Sequence, residues 1–85
     1  MYVVVEHEID DPAAFWSRAE EALPGLPAGT QLRQSYPNPD GSRCVCIWEA
    51  NSLEDVRGFV ETNVGSLSRN DYYPLDTQKA VGFSR

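Results

Sequence analysis

The sequence is poor in cysteine and histidine, has no long apolar run and carries no cluster of positive charge. Its only two cysteines, Cys44 and Cys46, are separated by a single residue in a chain of 85. An extended strand holds such a pair on one face with poor geometry for bridging, so no disulfide framework is expected. A structural metal centre needs about four convergent ligands, and no second cysteine pair supplies them. Redox C-x-x-C spacing is also missing. No N-terminal apolar run is long enough for a signal peptide or a membrane span, which predicts a reduced, cytoplasmic protein. The seven basic residues are scattered and the net charge is −6, so nucleic acid and anionic membrane surfaces are not expected partners. The sequence also lacks a G-x-S-x-G elbow, a phosphate-binding glycine loop and an H-E-x-x-H helix.

What remains is the pattern of a small α+β domain spanning residues 1–85. "YVVVEHEI" opens as a β-branched strand that places Val3, Val5, His7 and Ile9 on one side and Tyr2, Val4, Glu6 and Glu8 on the other. "DDPAAFWSRAEEAL" predicts a helix capped by Asp11, with Pro12 at its first position and an apolar stripe through Phe15, Ala19, Ala22 and Leu23. "TQLRQSY" and "SRCVCIWEA" flank the turn "PNPDG" as a β-hairpin, the first strand carrying Leu32, Gln34 and Tyr36 on one face. Ser52 begins a second helix with Leu53, Val56, Val60 and Val64 in line and Gly65 as its stop. "NDYYPL" is a short fourth strand that Pro74 restricts to an edge, and "DTQKAVG" reads as a short C-terminal helix capped by Asp76.

The order β-α-β-β-α-β is the ferredoxin-like arrangement, with an antiparallel sheet of order 4-1-3-2 and both helices on one face. The other face is left without a cover. Strands with apolar residues on both sides, such as Val3 against Val4, do not suit a face turned to water. A twofold homodimer with facing sheets and an enclosed cavity is therefore expected.

With that element order the chain resembles the dimeric α/β-barrel superfamily. A narrower likeness, from Gln34 to Val60 ("QSYPNPDGSRCVCIWEANSLEDVRGFV"), is to a small uncharacterised family of which one branch is described as nickel-binding. Other members of the superfamily are cofactor-free monooxygenases acting on aromatic polyketides, or muconolactone-type isomerases. The resemblance implies the fold and the dimer, and it keeps binding, metal and enzymatic readings open.

Cys44, Cys46 and Trp48 share one strand face and read as packed core, because free cysteine behaves as a small hydrophobe. His7 is the best candidate for chemistry: as a base, as a ligand contact, or with Glu49 and a twofold mate as a nickel or zinc ligand. Gln34, Tyr36 and Tyr73 are the expected lining of the inter-sheet cavity together with His7 and Glu49, suited to a small apolar or aromatic molecule. Trp16 is expected to pack against its neighbours outside any site. No cofactor is required by this reading. The function expected is that of a homodimeric binding protein; the alternative is a cofactor-independent monooxygenase or isomerase acting on a small aromatic or lactone-like substrate.

Overall fold

In the computed structural model, which describes residues 1–82, the strands are β1 (Tyr2–Ile9), β2 (Gln31–Pro37), β3 (Arg43–Glu49) and β4 (Ser68–Pro74). Two helices, α1 (Pro12–Ala22) and α2 (Leu53–Val64), complete the βαββαβ order. Residues 83–85, where the expected domain ends, lie outside the described residues. The sheet is antiparallel throughout and runs β2-β3-β1-β4, the expected order read from the other edge.

Local signals explain each element. Asp11 caps α1 by accepting from Ala14 N at 3.1 Å, and Pro12 follows where no N–H is needed. Ser52 does the same for α2 through Asp55 N at 3.1 Å, while Gly65 N–H closes the helix on Glu61 O. Pro74 ends β4, which is an edge strand as its missing donor requires. In the β2–β3 turn Gly41 sits at φ +76°, and a Cβ there would meet the Trp16 indole at 3.0 Å. Backbone and packing both demand glycine at this position.

The core lies between sheet and helices. Val3, Val5 and Ile9 of β1 and Cys44, Cys46 and Trp48 of β3 pack against Phe15 of α1 and Val56, Val60 and Val64 of α2. Three expectations meet different outcomes here. The cysteines are buried core residues, with their sulfurs 3.6 Å apart, hydrogen-bonded and not joined as a disulfide. The alternation expected for β2 is broken by a bulge at Arg33, since Leu32 opposes Trp48 while Gln34 already opposes Ile47. The extra residue sends Leu32 to the helix side and Gln34 and Tyr36 to the open side. Finally, "DTQKAVG" forms a hydrogen-bonded turn and not a helix. Asp76 caps it through Gln78 N and Lys79 N as expected, but Gly82 at φ +77° ends it before helical hydrogen bonding continues.

The sheet face turned away from the helices mixes apolar and acidic side chains: exposed Glu6 stands between Val45 and Asp71 in its middle, and ion pairs lie at its two ends. Val45, Tyr36 and Tyr73 are exposed there, around a buried Val4. Glu8 bridges Arg43 and Arg69 at one end, and Arg33 pairs with Glu49 at the other.

Candidate functional site

α1 and α2 cover β1 and leave the helix-side surface of β2 thinly roofed, for six of its seven residues are exposed. The gap is a cavity of about 390 Å³ bounded by both helices and the sheet. Phe15, Trp16, Ala19 and Leu23 form one wall and Phe59, Val60 and Val64 another. Leu32, Trp48 and Cys46 make the floor. Such a surface is largely apolar, with His7, Ser35, Glu20 and Asn63 as its polar members. A cavity of this size and make-up is the ordinary form of a small-molecule site.

His7 is buried, and a chain of hydrogen bonds fixes its ring. Its Nδ1 lies 2.6 Å from Asn70 Oδ1, while Asn70 Nδ2 donates to Glu61 Oε2 at 2.8 Å. Tyr72 OH donates to the same carboxylate oxygen, and Ser68 Oγ donates to Asn70 Oδ1 at 2.7 Å. Burial pushes the imidazole below its ordinary range, opposed by the Asn70 hydrogen bond and the Glu61 charge. The Tyr72 and Asn70 hydrogen bonds hold Glu61 below the usual carboxylate range. Desolvation, with the bond to Glu61, pushes the Tyr72 hydroxyl up. At neutral pH His7 is therefore an uncharged imidazole beside a carboxylate that it does not touch.

Aromatic packing extends from His7 towards α1. Phe15 meets the His7 ring edge-on at 5.3 Å, and Trp16 meets Phe15 at 4.9 Å. Trp16 Nε1 donates to Gly41 O at 3.2 Å and ties α1 to the β2–β3 turn. Trp16 is thus a wall of the cavity, against the expectation that it packs outside any site. Trp48 Nε1 is buried with no hydrogen-bond partner among the described residues, an unmet requirement of the kind that native cores rarely leave.

The residues expected to share one site divide between two faces. His7 lies on the helix side, opposite Cys44 in β3 and Asn70 in β4. Gln34, Tyr36, Glu49 and Tyr73 lie on the open side, where Glu49 is engaged by Arg33. His7 and Glu49 are thereby separated by the sheet and do not converge on one ion. Among the described residues no three of histidine, cysteine, aspartate and glutamate are grouped as metal ligands. No described helix is long and apolar enough to cross a membrane.

The Cys44–Cys46 pair borders this region. Ser35 Oγ lies 3.4 Å from the Cys44 sulfur and 3.6 Å from that of Cys46. Hydrogen bonding from Cys46 and Ser35 favours ionisation at Cys44, whereas the bond to Cys44 and burial push the Cys46 thiol up.

Sequence reasoning did not find Asn70, Glu61 or Ser35. Asn70 is the direct register partner of His7 once β4 begins at Ser68, and Ser35 is displaced to the cavity by the bulge. The comparisons add no relative. No family model matches the chain, and no curated protein or solved structure matches it.

Proposed function

We propose that this protein binds a small, largely apolar aromatic molecule in the cavity between its helices and sheet, as a homodimer joined through the open sheet face. The observation that carries the reading is the cavity itself, about 390 Å³ with an apolar lining and His7 among its few polar groups. This moves the expected cavity from between two sheets to within one chain. The exposed Tyr36, Val45 and Tyr73 on the open face, with ion pairs at its two ends, support a second copy as its cover, and the cover must leave Glu6 and Asp71 solvated or paired. Calorimetric titration with naphthalene derivatives should show saturable binding of one molecule per chain. Val60→Trp, which fills the cavity, should abolish it in a protein that keeps its circular dichroism. No saturable binding to the wild-type chain would refute the reading.

One observation favours an enzymatic form of the same site. His7 is held by Asn70 as a general base is held by its orienting partner. In that form His7 takes a proton from an aromatic or lactone-like substrate, for an isomerisation or for reaction with dioxygen without a cofactor. Dioxygen uptake or substrate isomerisation that disappears in His7→Phe, while binding persists, separates the enzyme from the binder.

A further inference from the structure

The protons around His7 narrow what its cavity accepts. Glu61 takes hydrogen bonds from Asn70 Nδ2 and Tyr72 OH, and an ionised carboxylate only accepts. The Asn70 amide is therefore oriented with its nitrogen towards Glu61 and its oxygen towards His7. Ser68 Oγ donates to that same oxygen. An amide oxygen cannot donate, so His7 Nδ1 must carry the ring proton in the 2.6 Å contact. The neutral ring then keeps its lone pair at Nε2, which has no hydrogen-bond partner among the described residues.

We infer that the cavity selects an aromatic hydroxyl compound, a phenol or enol whose O–H donates to His7 Nε2, over an ether, ketone or quinone of the same outline. This rests on the cavity binding proposed above and names the polar end of its ligand. A molecule that offers only acceptors leaves Nε2 unpaired and sets two lone pairs against each other in an apolar wall.

The test compares 2-naphthol with 2-methoxynaphthalene by calorimetry at neutral pH, alongside the ¹⁵N resonances of His7 in the free protein. Wild type should bind the naphthol about tenfold more tightly, as expected for satisfying one acceptor that the bound molecule shuts off from water. The His7 nitrogens should show a protonated Nδ1 and a bare Nε2. His7→Phe should bind the two compounds equally. Asn70→Leu should lose most of the preference and shift the ¹⁵N pattern towards an Nε2–H ring, an effect that lost stability alone would not produce. Equal affinities in the wild type would overturn this inference and leave cavity binding intact. A protonated Nε2 in the free protein would overturn it as well. Binding of neither compound would refute the cavity reading and this inference with it.

Discussion

His7 and Asn70 are 63 residues apart in sequence, yet β1 and β4 set them directly opposite each other, with Nδ1 and Oδ1 at 2.6 Å. The pair answers the main difficulty of a histidine in a small core. A buried imidazole without a partner costs stability, whereas one whose donor is satisfied leaves only the face that meets the cavity. Asn70 in turn is anchored by Glu61 on α2, so one polar chain links sheet and helix.

The depressed ionisation of His7 predicts an acid-labile fold. Because the folded affinity for the proton is below the unfolded one, the unfolded chain binds more protons, and stability rises with pH across that interval. The contribution is complete above the ordinary value of 6.5 and is lost as pH falls from there through the folded value. Urea denaturation at a series of pH values should show this step, and His7→Phe should remove it. A second loss, from Glu61, belongs below its ordinary value of 4.5.

Cys44 and Cys46 should be slow to react with a thiol reagent in the native protein and fast in urea. Each change to alanine should cost about 1 kcal/mol of unfolding free energy, as for other small deletions in packed cores. Rapid labelling of Cys46 in the folded chain would contradict its place in the core.

The proposed dimerisation through the open face predicts sedimentation as a dimer at micromolar concentration. Val45→Asp or Ile47→Asp should yield folded monomers, since each removes an apolar side chain from that face and adds a carboxylate to those of Glu6 and Asp71 while leaving the helix side unchanged. A wild-type chain that sediments as a monomer would remove the homodimer from the proposal.

Trp16→Phe keeps an aromatic ring in the cavity wall but deletes the hydrogen bond to Gly41 O. The expected loss is about 1 kcal/mol, seen as a fall in Tm of roughly 4–8 °C. Thermal unfolding followed by circular dichroism measures it.

Much of the fold was legible because it depends on local chemistry. Asp11-Pro12 and Ser52 start helices by satisfying orphan N–H groups, Pro74 excludes itself from a central strand, and "PNPDG" turns the chain whatever surrounds it. Burial of Cys44 and Cys46 was legible too, from their shared face with Trp48. The site was less so. The bulge at Arg33 shifts every later residue of β2 by one face, and alternation counted along the sequence does not register an inserted residue. His7 was legible as a candidate, but it was expected on the open face with Gln34, Tyr36, Glu49 and Tyr73, which do lie there while His7 turns to the helices, because four strands offer two faces and spacing alone does not say which one the helices cover.

The sequence by itself determined the helices, the hairpin, the strand order and the apolar face of the sheet that meets the helices, since these follow from side-chain periodicity and from caps and turns within a few residues. Only the tertiary structure decided that His7 looks into a cavity beneath the helices, that Asn70 and Glu61 set its tautomer, and that Trp16 and Trp48 line the space. Those relations join residues tens of positions apart through strand register and helix docking. They arise when the sheet closes around its core, where a single register step or bulge determines which groups meet.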